Sequence, residues 1–334
     1  MYDLAIIGAG PVGLAAAIQA KNLGMSYIIL EKGCVVNAIF EYPTYMTFFT
    51  TAERLEIGEH PFVTSTDKAT RKEALAYYRL VSARENLNLR QYTEVLQIHP
   101  APAGFTLEIE TKTSDILAIE CRYCIVATGY FDNPNRLEIL GDDLENVAYG
   151  YTEAHPFWGL NVTIIGGGNS AADAALDLYR HGANVTLVHR GADIKNTIKY
   201  WMKPDLENRI KEGSIKAMFK STAKQITPEA VIIKTPNGEV TLPTDFTFIL
   251  VGYTPNTELF EGAGITPDSD SRIKVNTNFE TEVGGLYAIG SCYAGRFTGQ
   301  VFIENGKIDA LAAIADIKQK LEDRAKGERR KAKG

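Results

Sequence analysis

Two glycine-rich loops carry the residues with the clearest chemistry. Leu4-Ala5-Ile6-Ile7 runs straight into Gly8-Ala9-Gly10-Pro11-Val12-Gly13, Leu14 to Leu23 reads as a helix, and Tyr27-Ile28-Ile29-Leu30 ends at Glu31. This is a βαβ unit bearing G-x-G-x-x-G, the pattern that cradles a dinucleotide. Gly8 permits the tight turn, Gly10 lets the backbone approach a pyrophosphate, and Gly13 lets the helix pack on the strand. The helix N-terminus then offers free N–H groups and partial positive charge to the phosphates. Glu31, 23 residues after Gly8, stands where a carboxylate accepts hydrogen bonds from both hydroxyls of a ribose. The device recurs at Val162-Thr163-Ile164-Ile165, followed by Gly166-Gly167-Gly168-Asn169-Ser170-Ala171, a helix from Ala172 to His181 and a strand Asn184 to Val188. That strand ends in His189-Arg190, and His189 is again 23 residues after the first glycine. An acid at that place repels a 2′-phosphate, whereas Arg190 with His189 beside it binds one by charge-assisted hydrogen bonds. The first loop is therefore expected to hold a dinucleotide with free ribose hydroxyls, and the second, through Gly166, Gly168, Asn169, Ser170, His189 and Arg190, NADPH rather than NADH.

Two dinucleotide sites in one chain imply one resident redox cofactor and one diffusing one. The chain in this respect resembles the two-dinucleotide flavoproteins, in which FAD occupies the first site and NADPH reduces it from the second. Three further segments carry the resemblance. Ala127-Thr128-Gly129 looks like the turn by which the chain leaves the FAD domain, and Val251-Gly252-Tyr253-Thr254-Pro255-Asn256 like the segment where it returns. Leu286-Tyr287-Ala288-Ile289-Gly290-Ser291 looks like the last FAD-domain strand and loop, with Ser291 where that superfamily usually has Asp. Ser291 keeps a hydrogen-bond donor but not the charge.

The expected architecture is α/β, with two Rossmann-like dinucleotide-binding domains, the second inserted in the first. FAD would be bound by 1–120 and 250–334, and NADPH by 121–249. Thr70–Glu85 reads as a helix and Phe105 to Glu110 as an alternating strand. Pro236-Asn237-Gly238 has hairpin chemistry, which gives the inserted domain a small antiparallel sheet of its own. A C-terminal helix is expected from Thr298-Gly299 to about Arg324, its N-terminus beside the flavin, where its dipole favours negative charge on the reduced ring. Beyond it Ala325 to Gly334, with Lys326, Arg329, Arg330, Lys331 and Lys333, reads as a solvated, frayed tail.

The four cysteines among 334 residues are too few for a disulfide scaffold and suit a reducing cytoplasm. Cys121-Arg122-Tyr123-Cys124 matches C-x-x-C, but residues three apart in a strand point to opposite faces, with Cα atoms roughly 10 Å apart, so no redox pair is expected there. Thioredoxin reductases keep their dithiol shortly before the second glycine motif, and the matching stretch, Tyr149 to Leu160, has no cysteine. Cys34 follows the Glu31 strand at the adenosine end, and Cys292 lies in the loop expected near FAD.

With these residues in view the chain resembles the bacillithiol disulfide reductase family, the YpdA-type flavoproteins, over nearly its whole length. The likeness rests on Glu31-Lys32-Gly33, Tyr42-Pro43 with Thr47-Phe48-Phe49, Leu55-Glu56-Ile57-Gly58, Ala127-Thr128-Gly129-Tyr130, Glu153-Ala154-His155-Pro156, Asn169-Ser170-Ala171, Arg190-Gly191 and Phe302-Ile303-Glu304-Asn305-Gly306. Membership implies an NADPH-dependent FAD enzyme acting on bacillithiol disulfide, with Gly8, Gly10, Pro11, Val12, Gly13, Glu31, Lys32, Thr47, Phe48, Ala127, Thr128, Gly129, Gly290 and Ser291 around FAD. The family's active thiol lies in the first glycine loop, as G-G-G-P-C-G, and this chain has Val12 there. Candidate catalytic residues are Cys292, Glu304 and Asn305 as orienting groups near the flavin, and Phe48, which would cover the flavin ring as an aromatic residue does in the ferredoxin/flavodoxin–NADP reductases.

Three functions stay open on these residues. One is reduction of a low-molecular-weight disulfide, by hydride passed directly from flavin or through Cys292. Another resembles the ferredoxin/flavodoxin–NADP reductases, which share the plan without a dithiol and whose partner is a small redox protein. The third is a non-catalytic NADPH-sensing flavoprotein. A net charge of −6 and pI near 5.5 argue against a nucleic-acid or anionic-membrane surface, and no apolar stretch approaches the roughly 18 residues of a membrane helix. No metal site is expected. A cytoplasmic homodimer is expected, the dimer from superfamily likeness alone.

Overall fold

The first apolar run forms strand β1, Tyr2–Ile7, and the glycine loop delivers the chain into helix α1, Pro11–Asn22. In the computed structural model, which describes residues 1–297 and 299–331, this helix starts earlier than Leu14. Gly10 is its N-cap and Pro11 its first residue, a position where proline's missing N–H costs nothing. Strand β2, Tyr27–Glu31, pairs parallel to β1 and is buried throughout. Helix α2, Arg71–Arg84, is started by a capping box in which Thr70 and Glu73 satisfy each other's backbone N–H groups.

Strands β3 (Leu89–Gln91), β4 (Thr93–Ala101), β5 (Gly104–Thr111) and β6 (Ile116–Val126) complete the sheet in the order β3-β2-β1-β6-β5-β4, and the last strand, Leu286–Ala288, adds to β6. The β1, β2, β3 and Leu286–Ala288 pairings are parallel, while β4, β5 and β6 form an antiparallel meander. One core cluster takes side chains from β1, β2, β4, β5, β6 and the last strand, including Cys121 and Cys124, together with Cys292.

The second unit holds a parallel sheet and a small antiparallel one. Its strands are β7 (Val147–Ala148), β8 (Asn161–Gly166), β9 (Asn184–Val188), β10 (Lys216–Met218), β11 (Thr222–Ile226), β12 (Ala230–Thr235), β13 (Gly238–Pro243) and β14 (Phe246–Leu250). The parallel order is β10-β9-β8-β14-β7, with helix α3, Asn169–Arg180, packed through Ala171, Ala174, Ala175 and Leu178 into that unit's own core. The antiparallel sheet is β11-β12-β13, and its hairpin turns at Pro236-Asn237 between Thr235 and Gly238.

Contacts divide the chain into 1–40, 50–133 and 254–334 on one side and 41–49 with 134–253 on the other. The expected boundaries were 120/121 and 249/250. The first moves because Cys121 to Val126 completes β6, which pairs with β1, and the chain leaves only after the 127–129 turn. The excursion of Glu41–Phe49 into the second unit has no counterpart in the expectation. The Thr44 N–H donates to the Thr152 carbonyl, and Phe49 stacks on Trp201 with ring centroids 5.4 Å apart.

The C-terminal helix runs Ile303–Lys331. It begins five residues after the expected Thr298, itself outside the described residues, because Asn305 caps the start: its Oδ1 accepts from the Phe302 N–H and its Nδ2 donates to the Gln300 carbonyl. Its far end continues as helix through the stretch expected to fray, supported by Arg324–Glu328 and Lys326–Asp323 pairs. Lys333 lies outside the described residues. Among the described residues no helix is long and apolar enough to cross a membrane.

Candidate cofactor and active site

In the first unit, three loops converge at the C-terminal ends of the parallel strands, where ligands of open α/β sheets bind. Gly8 has φ +104°, and a Cβ there would fall 2.6 Å from the Ala127 carbonyl oxygen. A Cβ on Gly13 would fall 2.1 Å from the Gly8 carbonyl oxygen. Gly10 differs, since a Cβ there would meet nothing within 4 Å. The outer glycines thus close the loop on the 127–129 turn and on α1, and the middle one borders open space suited to a pyrophosphate.

Glu31 ends β2 beside this loop, only 7% exposed. Its carboxylate accepts hydrogen bonds from the Ala9 N–H at 2.7 Å and the Gly33 N–H at 2.8 Å, and burial raises its pKa. Lys32 pairs with Asp132. Gly129 and Ser291 face each other, a Cβ on Gly129 lying 3.8 Å from the Ser291 Oγ. Val12 closes the group: its methyls lie 3.3 Å from a Cβ built on Gly290 and 2.8 Å from one on Gly306, in the C-terminal helix. Gly8, Gly10, Pro11, Val12, Gly13, Glu31, Ala127, Thr128, Gly129, Gly290 and Ser291 thus occupy one neighbourhood whose shape and donors fit FAD. Glu304 sits half-buried in the first turn of the C-terminal helix, and the Asn305 side chain is committed to capping it. Thr47 and Phe48, expected around FAD, belong to the segment grouped with the second unit, where Phe48 is buried edge-on to Tyr42.

Cys121, Cys124 and Cys292 are core residues rather than exposed thiols. Cys292 is fully buried, donates to the Val126 and Ile289 carbonyls at 3.2 Å each, and burial pushes its pKa up to about 12. A thiol so held stays protonated, as a core residue does. Cys121 and Cys124 correct the expectation of opposite faces. Alternation in β6 breaks at Arg122-Tyr123, both side chains enter the same core, and burial, then the hydrogen bond with Cys121, raises the Cys124 thiol well above its ordinary range. No disulfide joins any of the four cysteines.

One acid near this site gave no signal in the sequence. Asp309 is 7% exposed, accepts from the Gly290 N–H and the Tyr293 hydroxyl at 3.3 Å each, and has no ion-pair partner among the described residues. Burial pushes its pKa up to about 6 from an ordinary 3.8. Across that window the folded chain keeps a proton that the unfolded chain has released, so stability falls as pH rises from 3.8 to about 6 and then levels off. Asp309→Asn removes the slope. Melting curves of the apoprotein between pH 4 and 8 are expected to show the variant gaining, on the order of 2 kcal/mol relative to the parent, as pH rises. Parallel curves would refute this.

In the second unit the glycine loop repeats the first. A Cβ on Gly166 would fall 2.3 Å from the Leu250 carbonyl oxygen, while Gly168, the N-cap of α3, borders open space. Arg190 is exposed just past the end of β9. His189 is placed otherwise. Its ring is buried between Gly167 and Gly191, with Nδ1 2.3 Å from a Cβ built on Gly167 and Nε2 2.5 Å from one on Gly191. Burial, then the charges of Lys195 and Arg190, lower its pKa, so it packs the loop as a neutral ring. Lys195, in a loop six residues past His189, is a further cation near enough to influence that ring. The Asn169 side chain ties the loop together: its Oδ1 accepts from the Lys199 N–H and its Nδ2 donates to the Thr197 carbonyl. Ser170 lies in the first turn of α3.

Two Rossmann-type units, an acid ending one glycine-loop βαβ and a cation ending the other, define a pyridine-nucleotide-dependent flavin oxidoreductase, with FAD and NADPH as its cofactors. The chain belongs to the pyridine nucleotide-disulphide oxidoreductase family, whose model matches residues 5–290, and within it to the bacillithiol disulfide reductase branch. It is 38% identical over 315 residues to the bacilliredoxin reductase Bdr of Bacillus subtilis (strain 168), covering 93% of this chain and 96% of that one. It is similar to the solved bacillithiol disulfide reductase Bdr (YpdA) of Bacillus cereus, at 35% identity and a TM-score of 0.93, covering 96% of this chain and 99% of the other. The Staphylococcus aureus enzyme of the same name matches at 36% identity and a TM-score of 0.88, covering 96% and 98%.

Proposed function

We propose that this chain reduces a low-molecular-weight thiol disulfide of the bacillithiol disulfide type with NADPH, and that no protein thiol relays the electrons. When bound, NADPH supplies a hydride and FAD holds the electron pair for the acceptor. The net reaction consumes NADPH, one proton and one disulfide, and yields NADP⁺ and two thiols. The observation that carries the thiol-free route is Val12, an apolar side chain at the glycine-loop position, taken with the buried, protonated Cys292. Gly10 and the α1 N-terminus bind the FAD phosphates, Glu31 holds its adenosine ribose, and Arg190 with Lys195 binds the NADPH 2′-phosphate. Val12 and Ser291 then border the flavin neighbourhood. We further propose that the protein acts as a cytoplasmic homodimer, which light scattering of the holoenzyme tests.

An anaerobic comparison of bacillithiol disulfide, ferredoxin and flavodoxin as acceptors tests the substrate. Disulfide turnover is expected to exceed that of the protein carriers, and Cys292→Ser to leave it within about twofold, since a buried protonated thiol contributes no nucleophile. Faster reduction of the carriers would overturn the substrate class, and loss of turnover in the serine variant the thiol-free route. Bleaching of the flavin by NADPH without turnover on any acceptor would favour a sensor.

A further inference from the structure

The turn following the last strand carries Gly290 at φ +69° and Ser291, and it meets both the 127–129 turn and Val12 of the first glycine loop. Its position therefore decides whether three FAD-facing segments keep their register. Ser291, standing where the superfamily has an acid, does not fix this turn through a charge of its own. The C-terminal helix reaches it instead. Gly306 packs so closely that a Cβ there would come within 3.2 Å of the Gly290 Cα and 2.8 Å of a Val12 methyl. Asp309 is three residues on, on the same helix face, and its Oδ2 takes the Gly290 N–H at 3.3 Å and the Tyr293 hydroxyl at 3.3 Å. A buried carboxylate without an ion-pair partner is costly, so a packed helix face would ordinarily carry an apolar residue here. Nothing else in the described residues uses it.

We propose that Asp309 is a positioning residue for FAD: as hydrogen-bond acceptor to the Gly290 N–H, it holds the Gly290–Ser291 turn against the first glycine loop from the C-terminal helix, in place of an acid at position 291. The acceptor atom rather than the side-chain volume carries the effect. Removing it leaves a buried N–H and a hydroxyl unsatisfied and frees the turn to move away from the cofactor. This holds whatever the final electron acceptor is.

The test is FAD affinity of the deflavinated full-length protein, followed by quenching of flavin fluorescence, with the visible circular dichroism of the bound flavin as a geometric readout. Asp309→Ala is expected to weaken FAD binding about tenfold and to change the dichroism. Asp309→Asn, whose amide oxygen still accepts from Gly290, is expected to retain affinity within about threefold. Asp309→Ala with Ser291→Asp, which returns an acid to the turn itself, is expected to recover most of the loss, an outcome that a general packing defect would not produce. NADPH affinity, read in the same variants, is expected to stay constant. FAD binding within twofold of the parent in Asp309→Ala, an equal loss in Asp309→Asn, or no recovery with Ser291→Asp would each overturn the proposal. Should Asp309→Ala not fold, Asp309→Ser, too short to reach Gly290, is read in its place with the same outcomes.

Discussion

Arg190→Ala is expected to lower kcat/KM for NADPH by about 100-fold while leaving that for NADH within about twofold. The magnitude follows from losing charge-assisted hydrogen bonds to a dianionic 2′-phosphate, on the order of 2.7 kcal/mol. Arg190 is exposed at the end of β9, so its removal disturbs no packing. The buried ring of His189 does not compensate, because burial and the neighbouring cations favour its neutral form. Lys195 is close enough to His189 to influence its ionisation, and it retains a residual preference for the phosphorylated cofactor. Steady-state kinetics with both nucleotides and one acceptor measure the ratio. Equal losses with the two cofactors, or an unchanged KM for NADPH, would remove Arg190 from the site.

A comparison of Gly10→Ala with Gly13→Ala separates the two jobs within the first loop. Gly10 has φ −69° and ψ 172°, an extended conformation open to any residue, and a methyl there meets no protein atom within 4 Å. The apoprotein is expected to melt within about 1 °C of the parent, because a surface methyl away from contacts changes stability little. The same methyl fills the space through which the backbone approaches the pyrophosphate, and FAD affinity is expected to fall about 100-fold. Gly13 behaves oppositely. Its Cβ would stand 2.1 Å from the Gly8 carbonyl oxygen, forcing α1 away from the loop. Gly13→Ala is thus expected to destabilise the apoprotein by about 3 kcal/mol, the upper part of the range for overpacking, and to lose FAD as a consequence. Flavin titration and thermal melts of both variants, made side by side, distinguish the cases. A stable Gly13→Ala that binds FAD normally would mean that the loop closes differently.

The two βαβ units were legible because their constraints are local. A positive φ at Gly8, a close approach at Gly13 and an acid or a cation at a strand end all leave marks within about 25 residues. Helix starts were read late, at Leu14 and Ala172, because the loop's last residues already form the first turn, capped by Gly10 and Gly168. What escaped the sequence depends on distant partners. The excursion of 41–49 is fixed by Thr152 and Trp201, more than a hundred residues away. Asp309 reads as a solvent-facing helix residue until Gly290 is brought to it. Cys121 and Cys124 obey strand alternation on paper, but alternation in β6 breaks between them, where pairing with β5 ends and pairing with the last strand begins, and both thiols end in one core.

The excursion of Glu41–Phe49 also limits how this protein can be taken apart. A gene fragment encoding 134–253 carries every strand of the second unit yet omits the Thr44 partner of Thr152 and the Phe49 partner of Trp201. Transplanting the NADPH-binding module into another reductase as one uninterrupted insert leaves that surface uncovered. A working chimera has to exchange two stretches of sequence together, 41–49 with 134–253.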